Sequence, residues 1–293
     1  MKCSFFLASK PLQIVNSLNL QCEGRKVLYV LNAFSDCESL VNRLETVHHF
    51  AEVRIVDNID DAYRWCVNNV ELIENIFIPS DYGIHIGYWL RKLRMKKIWV
   101  YEEGLGNYEP DFAEKYRFTR LAHVLLSRNK DIDMYYGASP FVNGVVLYDA
   151  ERFRNRFPNY KKGVLEFIKP FLEHINSEVV RSIFPFEVNE KWSGEKILLY
   201  LTTWKVNPKI KQIVSYYPQH FTICKPHPHI KNTTEIKELS IFNQIFTDNI
   251  LAELLISALI EKCSELVIVH ENSTAVQWFT PNDRLKFIDL SGS

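Results

Sequence analysis

Three short segments carry residue types from which a group-transfer reaction could be built. Tyr101-Glu102-Glu103-Gly104 offers two adjacent carboxylates, and a carboxylate facing a hydroxyl can take its proton as the hydroxyl attacks. Gly104 then permits a tight turn. Lys225-Pro226-His227-Pro228 sets an imidazole between two prolines, which hold the backbone extended and present the ring at one place. An imidazole so placed can neutralise charge on a departing phosphate. His270-Glu271-Asn272-Ser273-Thr274 ends in two hydroxyls just before Ala275-Val276-Gln277-Trp278, which reads as a helix opening. Hydroxyl caps and free N–H groups at such a junction favour an anion. Each segment also has a plainer reading: a loop acid pair, a loop histidine beside a solvated lysine, and an ordinary helix cap.

Position is what raises these segments above the plainer readings. Each follows an apolar, β-branched run, at 97–100, 221–224 and 266–269, so each should stand where a strand of a parallel sheet ends, the edge at which open α/β sheets bind ligands. A fourth segment, Ser9-Lys10-Pro11-Leu12-Gln13-Ile14-Val15-Asn16, leaves the first strand through a turn into a helix. Gln13 and Asn16 are three residues apart on one face of that helix. They suit hydrogen bonding to sugar hydroxyls, or equally a cap and a polar helix face.

The elements needed to position these groups are legible as a βαβα alternation. Strands are expected at Cys3–Ala8, 26–31, Glu52–Val56, 75–78, Lys97–Tyr101, 123–127 and 145–147, with amphipathic stretches such as 40–49 between them. From 149 to 192 the chain turns aromatic and charged, with Pro158, Pro170 and Pro185 and no clear strand, which reads as a helical bridge. A second series follows at Lys196–Leu201, 222–225, 243–246, 266–269 and 285–288, with a strongly apolar helix over 250–263. The expected organisation is an N-terminal Rossmann-like acceptor domain over 1–150, a helical linker over 151–192 and a C-terminal Rossmann-like donor domain over 193–293. A cleft is expected between the two.

Composition sets the outer limits. The 293 residues suffice for two domains. Lysine plus arginine, 35, equals aspartate plus glutamate, 35, so there is no overall basic charge to hold a nucleic acid. Six scattered cysteines without a C-x-x-C pair indicate neither zinc nor a disulfide framework. No window holds the ~18 consecutive apolar residues of a spanning helix, and the start of the chain reads as a buried strand rather than a signal peptide. A soluble or peripheral protein is expected. The basic run over 91–97 has the pattern of a helix on anionic lipid, or of cations at a helix end.

Taken together, the acid pair with glycine, the His-Pro dipeptide, the Ser/Thr pair and the Pro-Leu-Gln segment resemble the bacterial sialyltransferases, in particular the lipooligosaccharide sialyltransferase and polysialyltransferase group. The resemblance follows motif order over most of the chain but aligns only short islands. It implies the α/β GT-B fold and an inverting, metal-independent transfer of sialic acid from CMP-sialic acid to a galactose-terminated surface glycan. By position, Glu103 becomes the general base, with Glu102 the alternative acid. His227 meets the donor phosphate, which Ser273 and Thr274 hold with Lys225, Pro228 and Asn272 beside them. No cofactor or metal is implied, and Asp131-Ile132-Asp133 reads as a solvated loop. The His-Pro and Ser/Thr elements are shared with teichoic-acid glycerophosphotransferases and capsule Kdo transferases, so a CMP- or CDP-linked donor of that kind is the alternative. The sequence departs from the pattern in having Ser-Thr rather than paired serines, with a second imidazole, His270, nearby. The partners so implied are a CMP-sugar and a glycan acceptor, with an anionic membrane surface and a second copy of the chain as options. The implied place is the bacterial cytoplasm, free or at the inner face of the inner membrane.

Overall fold

In a computed structural model, residues 2–34, 36–108, 136–186, 189–203, 205–227, 230, 239–246 and 250–291 are described. The strand expected over 123–127, Asp131, Asp133 and Pro228 lie outside the described residues. The chain divides into two compact units, Met1–Ala33 with Cys37–His174, and Ile175–Ser293 with Phe34–Asp36.

The first unit is built on seven parallel strands, β1 (Cys3–Ala8), β2 (Arg25–Leu31), β3 (Glu52–Val56), β4 (Ile73–Ile78), β5 (Lys97–Tyr101), β6 (Gly144–Leu147) and β7 (Gly163–Glu166), in the order β3-β2-β1-β4-β5-β6-β7. All six residues of β1 are buried, as a central parallel strand covered on both faces requires. Helices α1 (Pro11–Leu18), α2 (Cys37–Thr46), α3 (Ile59–Asn68), α4 (Ile84–Leu93) and α5 (Ala150–Arg156) cross between the strands, and α6 (Phe171–Ile175) follows β7. One face packs Phe5, Tyr29, Tyr63, Trp89 and Phe153 into a single core.

β7 corrects the expectation of a strandless bridge. It is a four-residue edge strand, largely exposed, so it carries no apolar run to betray it. Its pairing depends on glycine: Gly144 faces Gly163 in register, and a Cβ on Gly144 would lie 1.9 Å from the Gly163 carbonyl oxygen.

The second unit holds β8 (Lys196–Leu201), β9 (Phe221–Lys225), β10 (Gln244–Ile245), β11 (Glu265–His270) and β12 (Leu285–Asp289), again all parallel, in the order β10-β9-β8-β11-β12. Helices α7 (Glu178–Ile183), α8 (Ile210–Ser215) and α9 (Ala252–Lys262) accompany it. Leu255, Ile256 and Leu259 of α9 cover one face with Trp192, while Tyr200, Cys224 and Phe242 form the other core.

Both sheets therefore reverse their strand order at the same place, between first and fourth strands: β1 and β4, β8 and β11. Such reversal points open a crevice beyond the carboxyl ends of the strands. No described helix is long and apolar enough to cross a membrane.

Candidate functional site

At the carboxyl edge of the first sheet the acid pair divides into two unlike groups. Adjacent residues leaving a strand point opposite ways, and here Glu102 turns inward while Glu103 turns out. The Glu102 residue is 1% exposed and the Glu103 side chain 18%, so only the second can reach a ligand. Glu102 Oε2 accepts from the Tyr108 hydroxyl and from the Tyr148 backbone N–H at 2.8 Å, which ties the end of β5 to the end of β6. The Asn16 amide donates to the Glu102 carbonyl at 2.8 Å, and the Tyr148 hydroxyl donates to Asn16 Oδ1 at 2.9 Å.

Glu103 is held by three side chains. Lys10 Nζ donates to its Oε1 at 2.5 Å and Gln13 Nε2 to the same oxygen at 2.8 Å. The Tyr136 hydroxyl lies 3.3 Å from Oε2. The backbone below is fixed as well: Glu103 N–H donates to Asn107 Oδ1 at 2.7 Å, and Gly104 takes φ 123°, a conformation that favours glycine. Ser9 donates to Gln13 Oε1 through its N–H at 2.6 Å and its hydroxyl at 3.0 Å, which leaves the Gln13 amide nitrogen aimed at Glu103. Gln13 and Asn16 are thus both buried and bind the acid pair, which fits the polar helix face, the second of their two readings, better than contact with sugar hydroxyls. Helix α1 packs that polar face onto the sheet edge, out of reach of solvent.

Tyr136 owes its place to a clamp with no sequence signature. Fully buried Asp81, just beyond β4, accepts from Gly137 N–H at 3.0 Å and Ser139 N–H at 2.8 Å. Lys162 holds the other side of that turn, donating to the Gly137 carbonyl at 3.0 Å, to Ala138 at 3.1 Å and to Ser139. Burial raises the Asp81 carboxyl despite those bonds.

Burial likewise lifts the Glu102 carboxyl from 4.5 to about 7, against the lowering effect of its bonds to Tyr108 and Tyr148. The folded state therefore binds this proton more tightly than the unfolded chain. The stability it contributes is fully present below about pH 4.5 and is lost as pH rises through 7, about 3 kcal/mol in all. His49 acts in the opposite sense. Burial and the ammonium of Lys26, 2.9 Å from its ring nitrogen, push it from 6.5 down to about 4, so its contribution is present above pH 6.5 and lost as pH falls through 4. Glu102→Gln should remove one slope and keep the other. Denaturant midpoints measured from pH 4.5 to 8 should then rise with pH in the variant, whereas the wild-type curve should be nearly level or fall towards neutral pH.

In the second unit the His-Pro segment leaves β9 beside the end of β8. The backbone N–H of His227 donates to Thr202 Oγ1 at 2.7 Å, and its carbonyl accepts from Ile230 N–H at 2.9 Å; the residue is half-buried. Lys225 is not the solvated neighbour of the plainer reading. It is 7% exposed, with Nζ donating to the Pro226 carbonyl at 3.2 Å. Its charge acts on Glu253, a buried acid in the first turn of α9 whose carboxyl burial raises. Glu253 was missed in the sequence, where it reads as one polar residue in an apolar helix.

Asn272, Ser273 and Thr274 follow β11 at the same edge. Asn272 takes φ 48°, a left-handed turn that asparagine tolerates. Ser273 caps the stretch that follows, accepting from Ala275 N–H at 3.4 Å. That stretch, Thr274–Trp278, where the sequence reads as a helix opening, is one tight 3-10 segment of five residues. Buried His270 sits behind it, its Nδ1 accepting from Ser273 N–H at 3.4 Å. Ser9, Glu102, Glu103 and Gly104 thus gather at one sheet edge, and Lys225, His227, Asn272, Ser273 and Thr274 at the other.

No protein-family model matches the sequence, and no curated protein matches it significantly. Among solved structures, HepE of Anabaena, determined in complex with UDP, superimposes with a TM-score of 0.52 at 11% identity, over 99% of this chain and 86% of that one. The fold is GT-B. A mutant of the Thermobaculum terrenum O-GlcNAc transferase reaches a TM-score of 0.46 at 8% identity, over 97% of this chain and 57% of its own; at that score it adds no weight. Within a GT-B chain, the residues singled out by chemistry stand where this fold's two sheets end.

Proposed function

We propose that the chain is a glycosyltransferase that moves sialic acid from CMP-sialic acid to a hydroxyl of a galactose-terminated glycan, with inversion at the anomeric carbon. One observation carries the reading: a part-exposed carboxylate, Glu103, is held at the sheet's carboxyl edge by Lys10, Gln13 and Tyr136 while its neighbour Glu102 is buried. A base placed so can take the proton of an acceptor hydroxyl as that oxygen attacks the anomeric carbon. The bond from that carbon to the donor phosphate breaks, and the electron pair leaves with CMP. His227 meets the phosphate as its charge grows, and Ser273 and Thr274 supply hydroxyls to its oxygens. A monophosphate leaving group develops less charge than a diphosphate, which suits an imidazole and hydroxyls as its stabilisers.

That a neighbour of the same fold was solved with UDP supports a nucleotide-activated donor, and the His-Pro and Ser-Thr segments favour the CMP type. The test is nucleotide release from CMP-sialic acid, CMP-Kdo, a CDP-linked glycerol and a UDP-sugar, each with and without lactose and with EDTA. Acceptor-stimulated release from CMP-sialic acid alone supports the reading. Consumption of CMP-Kdo or the CDP donor moves the protein to the capsule or wall-polymer transferases, and consumption of the UDP-sugar alone refutes the donor assignment.

A further inference from the structure

A cavity of about 640 Å³ opens in the first unit, lined by Tyr108, Asp149, Glu151, Arg152, Asn155 and Arg156. Its volume falls within the range of small-ligand sites. The floor is continuous with the acid pair, because the Tyr108 hydroxyl donates to Glu102 and accepts from Asp149 N–H at 3.2 Å. The cavity floor thus touches Glu102, the chain neighbour of the carboxylate proposed to meet the reacting hydroxyl.

The lining holds polar groups that its own contacts do not use, although the charge of Arg152 also acts on Glu102. Arg152, Asn155 and Arg156 lie at i, i+3 and i+4 of α5, on one helical face, opposite the buried Ala150 and Phe153. Like charges four apart repel. Yet among the described residues neither guanidinium forms an ion pair, although Asp149 and Glu151 line the same space. Arg152 instead lies over the Tyr108 ring, 4.6 Å from its centre, and Asp149 is engaged in capping α5 through Arg152 N–H at 2.8 Å. What remains is a set of donors on Arg152, Arg156 and Asn155 beside acceptors on Glu151 and Asn155, over a rigid floor. Sugar hydroxyls both donate and accept, and a mixed lining of no net charge matches them better than it matches a simple anion.

We propose that this cavity is a second acceptor subsite, which holds the sugar preceding the one that receives the new residue, so that the protein reads its acceptor as at least a disaccharide. The inference rests on the transferase reading above but can fail separately from it. Isothermal titration of the intact chain with methyl β-galactoside, lactose and a sialylated lactose, needing no donor, tests it directly. Lactose should bind about tenfold more tightly than the monosaccharide, and in the Asn155→Ala/Arg156→Ala double variant that ratio should fall to about 1. The sialylated probe, which carries the same galactose–glucose pair, should lose affinity in the same variant as lactose does. Equal affinity for monosaccharide and disaccharides in the wild type, or a ratio unmoved by the double variant, overturns the proposal. Transfer assays on the same acceptors separate the two readings: donor consumption without a disaccharide preference removes the subsite alone, and sugar binding without donor consumption removes the transferase.

Discussion

Glu103→Gln should lower kcat by about 10²–10⁴-fold, the usual contribution of a positioned general base, while KM for the acceptor changes little. The amide keeps the size and the hydrogen-bonding reach of the carboxylate but cannot take the hydroxyl proton. Stability should hardly move, because Lys10 is 56% exposed in its pair with Glu103, and pairs of that kind contribute only about 0–1 kcal/mol. Unchanged kcat, measured by acceptor-dependent nucleotide release at a constant melting temperature, would remove Glu103 from the mechanism. The neighbouring substitution should show the reverse pattern: Glu102→Gln alters the pH dependence of folding first, since its side chain joins the ends of β5 and β6.

His227→Ala should cost about 10²–10³-fold in kcat, comparable to the loss of one preorganised donor at a developing charge. The loop should survive the change. It is held by the His227 backbone, through Thr202 at 2.7 Å and Ile230 at 2.9 Å, so the imidazole can be removed without its support. A role at the leaving group also predicts that the loss shrinks when the donor phosphate is replaced by a less basic leaving group, which needs less help. A loss equal for both donors would make His227 a structural residue of the β9 loop and leave the phosphate to Ser273 and Thr274.

Much of this framework is legible in the sequence because buried parallel strands are continuous apolar runs. Cys3–Ala8, Lys97–Tyr101 and Lys196–Leu201 match their strands end to end, and the chemistry-bearing segments follow such runs directly. β7 escaped because an exposed edge strand of four residues has no such run, and its pairing depends on two glycines 19 positions apart in the chain. The alternation of a strand shows that Glu102 and Glu103 point opposite ways, but not which one points inward. Tyr148, 46 residues away, decides that. Asp81 and Glu253 are invisible for the same reason. Each matters through a group brought to it by the fold, the Gly137 turn for one and Lys225 for the other, and neither stands in a local pattern that marks it.

The grip of Lys10 and Gln13 on a single oxygen of Glu103 bears on fidelity as well as on posture. An unguarded base beside an activated sugar would serve water as readily as an alcohol, and the donor would be wasted between acceptor encounters. On the mechanism proposed above, the ammonium and amide on Oε1 would hold the carboxylate in place and temper its basicity towards a stray water, leaving Oε2 to take the acceptor's proton. Lys10→Ala should therefore raise futile donor hydrolysis relative to transfer, as read by nucleotide release without acceptor. If Glu103 is the base proposed above, Lys10 would be a guard that makes the reaction wait for its proper nucleophile.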